Sequence, residues 1–230
     1  MDDFMKQDTK KELERLLAGY PALEVVREQV QQAFELLKQC TDAGGTIYVC
    51  GNGGSAADSE HIVGELMKSF QRSRSLSIQE KEAFRACAGA EGLRLADRLE
   101  YAIPAVSLVS QVGVSTAFAN DVGAEAVFAQ LVYGYGKKKD LLWALSTSGN
   151  SVNVVYAAYA AKVRQMKILA MTGEADSRLD ALANLTIRAP SLDTAQIQEY
   201  HLPIYHCLCA MLEAEYYSGP QPSGQSKRRI

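Results

Sequence analysis

Five short apolar runs lie at Thr46–Cys50, Ala105–Val109, Leu141–Leu145, Ile168–Met171 and Leu185–Arg188, each followed by a polar or glycine-rich loop. Between them run helical patterns over 55–70, 114–135, 151–164 and 176–183. Strands that alternate with helices must lie parallel, because each crossover returns the chain to the same edge, and helices then cover both faces. The pattern therefore predicts an α/β fold built on a parallel sheet. Ligands in such folds bind beyond the carboxyl ends of the strands, near the point where strand order reverses. The loops after Cys50 and after Leu145 are at such ends.

Two helices, 8–18 and 22–42, precede the first strand and form an N-terminal helical segment over 1–43. In the second, Leu23, Val26, Val30, Phe34 and Leu37 recur at three- and four-residue steps and make one apolar stripe. Gly44-Gly45 then stops the helix. The stripe suits either the chain's own core or another subunit. Residues 71–103 interrupt the strand–helix rhythm. Ser77-Ile78-Gln79-Glu80 reads as a capping box that starts a helix, and Gly92 is expected to separate it from a second helix over 93–101. This insertion suits a lid, an interface element or a solvated excursion.

The chain has 230 residues, a formal charge of −3 and 47% apolar residues. That is enough for one large domain, expected over 1–217. The segment 218–230, rich in Pro, Gly, Ser and Gln, is expected to be a disordered tail. No Lys/Arg-rich stripe is present outside that tail, which argues against a nucleic-acid partner. No apolar run approaches the ~18 residues of a membrane span, and the charged N-terminus lacks a signal-peptide apolar region. The expectation is a cytoplasmic protein without a membrane partner. Cys40, Cys50, Cys87, Cys207 and Cys209 are odd in number and irregular in spacing, as expected of reduced thiols. Cys207 and Cys209 are two apart and do not share a helix face, so packing is the better reading for them.

The first loop, Gly51-Asn52-Gly53-Gly54-Ser55, follows a strand and opens a helix. Its glycines allow close backbone approach, and the helix N-terminus offers free N–H groups to an anion. Gly51-x-Gly53-x-x-Ala56 also fits a relaxed dinucleotide fingerprint. The acidic strand end required about 20 residues on is missing, because Ser69 to Ser77 is basic and serine-rich. The second loop, Ser146-Thr147-Ser148-Gly149-Asn150-Ser151, carries four hydroxyls before a helix N-terminus and suits a phosphate monoester. Ordinary helix capping would need fewer hydroxyls.

His61 and Glu65 are i and i+4 on the helix that the first loop opens, so they share a face. Gln198 and His206 lie two turns apart on a second predicted helix. Two imidazoles, a carboxylate and a carboxamide suit zinc or a similar borderline ion. His201 is five residues from His206, about 140° around a helix, so both cannot easily face one ion. Packing, a supporting contact or a place beside substrate are the readings for His201. Pro203 is expected to perturb this helix.

At these residues the chain resembles the sugar isomerase (SIS) domain family, and within it the phosphoheptose isomerase group, which acts on sedoheptulose 7-phosphate. The resemblance runs through Cys50–Ser55, His61-x-x-x-Glu65-Leu66, Asn120-Asp121, Ser146–Ser151 and Ile197-Gln198-Glu199-x-His201, and spans most of residues 20–215. It implies a doubly wound, flavodoxin-like sheet of five strands and a homotetramer with active sites between subunits. It implies one zinc per subunit held by His61, Glu65, Gln198 and His206. Phosphate would sit on Ser146, Thr147, Ser148 and Ser151, and Asn52, Gly53, Gly54, Asn120 and Asp121 would hold sugar hydroxyls, with Glu65 and Gln198 also facing substrate. The implied reaction is ketose–aldose isomerisation through an enediol, with Glu65 as base and His206 as partner acid. These roles compete, because a coordinated carboxylate is a weaker base.

Two departures accompany the resemblance. The 71–103 insertion exceeds the family's usual connection, and Met67-Lys68-Ser69-Phe70 replaces the Gly-Arg-aromatic run of the heptose enzymes. Lys68, Arg72 and Arg74 are the candidate substitutes; otherwise the substrate is a different sugar phosphate. The alternative function is a non-catalytic SIS module that binds sugar phosphate or adapts a replication initiator. Such a module needs no metal ligands, and their retention here favours the enzyme. A nucleotide-dependent oxidoreductase is opposed by the missing acidic strand end.

Overall fold

A computed structural model describes residues 5–217; the segment 218–230 lies outside the described residues. Five parallel strands form one sheet in the order β2-β1-β3-β4-β5: β1 Ile47–Cys50, β2 Ala105–Ser107, β3 Leu141–Leu145, β4 Lys167–Thr172 and β5 Leu185–Arg188. The helices are α1 Gln7–Gly19, α2 Arg27–Asp42, α3 Gly54–Met67, α4 Ile78–Ala96, α5 Val112–Asp121, α6 Val127–Tyr135, α7 Val152–Val163 and α8 Thr194–Tyr216. The predicted doubly wound architecture is the observed one. Strand order reverses between β1 and β3, and the glycine loop and the serine loop leave these two adjacent strands.

The inner strands β1 and β3 are apolar and buried throughout because both faces are covered. Leu141, Trp143 and Leu145 of β3 face one core with Phe34, Leu37, Tyr205 and Leu208. Leu142 and Ala144 face the other with Val132, Val154 and Ala158. The period-2 alternation of a strand thus divides β3 between two cores. The stripe on α2 packs in the chain's own core, where Val30, Phe34 and Leu37 are fully buried. Pro21–Val26 precedes α2 as a separate 3-10 turn, so the expected helix 22–42 is two pieces. All five cysteines are free, and all but Cys87 are buried.

Three expectations are corrected. The pattern over 114–135 is not one helix: α5 ends at Asp121, and a 3-10 turn at Ala124–Ala126 precedes α6. Residues 176–183 form turns, not a helix; Asp180 accepts from both the backbone N–H and the hydroxyl of Ser177 there. In the insertion, the capping box is present at Ser77 and Glu80. The break, however, falls at Ala88–Gly89, where Gly89 has φ 58°, and the helical turns end at Ala96. Gly92 is helical and has no room for a side chain, since a Cβ there would meet the Phe84 carbonyl oxygen at 2.1 Å.

The base of the insertion is closed by the Tyr101 N–H donating to the Arg74 carbonyl (2.8 Å) and that of Ile103 donating to the Leu66 carbonyl (2.9 Å). No helix among the described residues is long and apolar enough to cross a membrane.

Candidate active site

The crevice at the β1/β3 reversal is joined across its two loops by one reciprocal amide pair. Asn52 Nδ2 donates to Asn153 Oδ1 (2.9 Å), and Asn153 Nδ2 donates to Asn52 Oδ1 (2.8 Å). Asn52 is therefore partly committed to holding the loops in register. Gly54 opens α3, and the Gln198 carboxamide lies against it: a Cβ at this position would meet Gln198 Nε2 at 2.8 Å. The glycine lets α8 bring Gln198 onto the N-terminus of α3.

In the serine loop, Ser151 occupies the N-cap position of α7, yet its side chain makes no cap hydrogen bond. Its hydroxyl lies 3.1 Å from that of Ser146 instead. Capping thus does not consume this hydroxyl. Asn150 serves the loop itself: its Oδ1 accepts from the Arg178 N–H (3.0 Å), and the Leu179 N–H donates to the Gly149 carbonyl (3.2 Å). Gly149 has φ 61° and sits so close to Ser177 that a Cβ would lie 2.2 Å from its Oγ. The turn that replaces the expected helix at 176–183 braces the serine loop.

One turn apart on α3, His61 and Glu65 face α8. His61 Nε2 lies 3.3 Å from Glu65 Oε1 and 3.3 Å from His206 Nε2. The Glu65 side chain is 12% exposed, and His61 is 44% exposed, so the carboxylate is recessed beneath an open imidazole. The Phe70 ring flanks His206, with centroids 5.5 Å apart. Burial and the neighbouring His61 push the His206 imidazole below its ordinary value, against Glu65, which raises it. A cavity of about 220 Å³ between α1, α8 and Phe70-Gln71 reaches His206.

The two 3.3 Å separations can be tested against a metal. Tetrahedral zinc with bonds of about 2.0–2.1 Å sets its ligands roughly 3.3 Å apart. The donors fit zinc in chemistry, and two of their separations fit in length. Among the described residues, though, no group of three or more His, Cys, Asp or Glu side chains is disposed to close around an ion. The fourth expected donor is an amide, Gln198.

Sequence reasoning missed two neighbours of this cluster. Tyr205 is fully buried; its hydroxyl donates to Asp58 Oδ1 (3.1 Å) and lies 3.0 Å from His61 Nδ1. Asp58 precedes His61 by one helical turn, so its position on the shared face was readable, but a tyrosine 144 residues away was not.

Asn120 and Asp121 end α5 as exposed residues, hydrogen-bonded to each other at 2.9 Å. No hydrogen bond among the described residues joins them to either loop or to the α3/α8 cluster. Of the basic substitutes after Glu65, only Lys68 is at the site, with Nζ 3.4 Å from Glu65 Oε2. Arg72 turns to Asp8 and Glu12. Arg74 is fully buried on Glu213.

His201 is a packing residue. It is fully buried, with Nε2 3.1 Å from the Thr172 carbonyl and Nδ1 unpartnered. Burial lowers its pKa from 6.5 to about 4. The folded state thus favours the neutral ring, and unfolding takes up a proton in that window. Stability conferred by neutral His201 is complete above the unfolded value and lost as pH falls towards the folded one, by about 3 kcal/mol in all. Urea midpoints measured across this window should fall with pH in the wild type, and His201→Leu should flatten that slope.

Comparison with known proteins follows the same lines. The SIS domain family model matches residues 20–80 and 81–173. The phosphoheptose isomerase of Chromohalobacter salexigens is 34% identical over 203 residues, covering 87% of this chain and 90% of the relative. Among solved structures, the phosphoheptose isomerase of Neisseria gonorrhoeae is similar with a TM-score of 0.68 and 30% identity, over 89% of this chain and 95% of that one. The Francisella tularensis phosphoheptose isomerase is similar with a TM-score of 0.69 and 28% identity, over 88% and 95% of the two chains.

Proposed function

The chain belongs to the phosphoheptose isomerases of the SIS domain family, and from that membership we propose that it interconverts sedoheptulose 7-phosphate and an aldose heptose 7-phosphate at the α3/α8 crevice. The observation that carries the assignment of the site is the convergence of His61, Glu65 and His206, with 3.3 Å separations, next to the β1/β3 reversal. A sensor or adaptor module would need the loops but not this cluster.

In this reading the serine loop binds the phosphate through Ser146, Thr147, Ser148 and Ser151. The Ser151 hydroxyl, which does not cap α7 and faces that of Ser146, supports that role. Asn52, Gly53 and Gly54, with Asn120 and Asp121 on the neighbouring β2 side, hold the sugar hydroxyls. Glu65 removes a proton from C1 of the open-chain ketose, and the electron pair forms the C1–C2 double bond of the enediol. His206 supplies the proton that O2 gains. The enediol then returns its O1 proton to His206 as the C1 carbonyl forms, and C2 takes the proton held by Glu65.

His61, Glu65, Gln198 and His206 would hold one zinc, which when bound polarises the substrate oxygens that carry the developing charge. Glu65 and His206 therefore have to act as base and acid while free of, or only weakly held by, the ion. Lys68, on the open side of Glu65, takes the place of the family's arginine. A homotetramer is part of the same reading. The exposed apolar groove of Tyr133, Tyr156, Tyr159 and Val163 between α6 and α7 supports burial against another copy; sedimentation of a monomer would contradict it.

Two experiments test these assignments. Stripping the purified protein with a chelator should abolish isomerisation of sedoheptulose 7-phosphate, and zinc should restore it; full activity without metal would remove zinc from the account. Ser151→Asp places a carboxylate where the phosphate would sit. Losing a hydrogen bond to a charged group is worth ~1.5–3 kcal/mol, so the KM for the ketose phosphate should rise roughly 10- to 100-fold. An unchanged KM would move the phosphate elsewhere.

A further inference from the structure

We infer that Asp58 and Tyr205 form a relay that sets the tautomer of His61 and aims its Nε2 lone pair into the site. The inference uses the cluster proposed above as a metal site, but its first test does not depend on metal.

The Tyr205 hydroxyl has one proton to give and can accept in return. It stands between Asp58 Oδ1 at 3.1 Å and His61 Nδ1 at 3.0 Å. An ionised carboxylate only accepts, so the hydroxyl proton belongs to Asp58. The Tyr205 oxygen must then accept, and the group facing it is His61 Nδ1, which therefore carries the ring proton. Neutral His61 is left with a bare Nε2.

That bare nitrogen faces the Glu65 carboxylate at 3.3 Å and His206 Nε2 at 3.3 Å. A lone pair facing a carboxylate is unfavourable until a cation lies between them. A ligating histidine held through its other nitrogen by an oxygen partner is the common support of metal sites. Here the partner is a phenol rather than a carboxylate or carbonyl, and Asp58 stands one step behind it.

The parts are rigid. Tyr205 is fully buried on α8 and immediately precedes His206. Asp58 and His61 are three residues apart on α3, one turn along the same face. The relay therefore also ties the helix carrying His61 and Glu65 to the helix carrying His206. Tyr205 and Asp58 are positioning residues: they act through His61.

The test reads the histidine ring directly. In metal-free full-length protein at neutral pH, long-range proton–nitrogen NMR should show His61 as the Nδ1–H tautomer, assigned by loss of its signals in His61→Gln. Tyr205→Phe keeps the ring and removes only the hydroxyl, so His61 should revert towards the Nε2–H form that free imidazole favours. Zinc titration of the same variant should show affinity weakened about 10- to 100-fold, and Asp58→Asn should move both readouts in the same direction. Should Tyr205→Phe fail to fold, Asp58→Asn carries the test. An Nε2–H tautomer in the wild type, or an unchanged tautomer in the variants, overturns the relay. The expected tautomer in a protein that binds no zinc would leave the relay standing and remove the metal instead.

Discussion

Glu65→Gln should lower kcat for the isomerisation about 10²- to 10⁴-fold, the range that a positioned general base supplies. The substitution keeps the side chain's size and its place beneath His61, so the oligomer and the thermal midpoint should hardly change. Among the described residues, no other carboxylate is hydrogen-bonded within the α3/α8 cluster except Asp58, and Asp58 is engaged by Tyr205. A near-wild-type kcat would show that Glu65 does not move the proton. A raised KM with unchanged kcat would reduce it to a binding group.

The second large effect is on stability, at Glu213. This residue is fully buried on α8, and its carboxylate accepts from the Phe70 N–H (2.8 Å), the Gln71 N–H (2.6 Å), the Arg72 N–H (2.9 Å) and Arg74 Nε (2.8 Å). Arg74, itself fully buried, donates onward to the carbonyls of Leu66 (2.6 Å) and Glu65 (2.9 Å). These two residues are in the last turn of α3, whose carbonyls have no partners within the helix. The pair therefore finishes the helix that carries Glu65 and folds the segment 69–74 against α8.

Glu213→Gln leaves the Arg74 charge buried and uncompensated. Breaking a buried pair in this way costs about 3–5 kcal/mol, or roughly 6–20 °C in Tm for a domain of this size. Calorimetry should show that drop. A shift within a degree would mean that water reaches Arg74 and that the pair does not hold the segment.

Much of this architecture is legible in local pattern. The apolar runs predict the strands, most clearly at β1 and β3, because a strand covered on both faces must be apolar at every position. The glycine and serine loops announce themselves by residue types that a packed loop would not need. His61 and Glu65 are readable as one face because helix periodicity is fixed. The breaks are less legible: either Gly89 or Gly92 could end the helix, and the fold breaks it at Gly89, whose φ is 58°, while Gly92 is pressed against Phe84. The turn at 176–183 carries Ser177–Asp180 hydrogen bonds of the kind that also start helices, so its sequence does not separate the two. Least legible are the long-range partners. Glu213 lies 139 residues from Arg74, and nothing in either neighbourhood marks it. Arg74 therefore reads as a candidate substrate contact until the fold shows it buried.

The central claim is that this crevice isomerises a phosphorylated ketose, and its most direct test is turnover itself. Purified zinc-replete protein is mixed with sedoheptulose 7-phosphate, and the products are followed by NMR, with six- and five-carbon ketose phosphates as competitors. The account predicts an aldose heptose 7-phosphate, a higher kcat/KM for the seven-carbon substrate than for the shorter ones, and loss of the signal in Glu65→Gln. Absence of aldose from every ketose phosphate would contradict it.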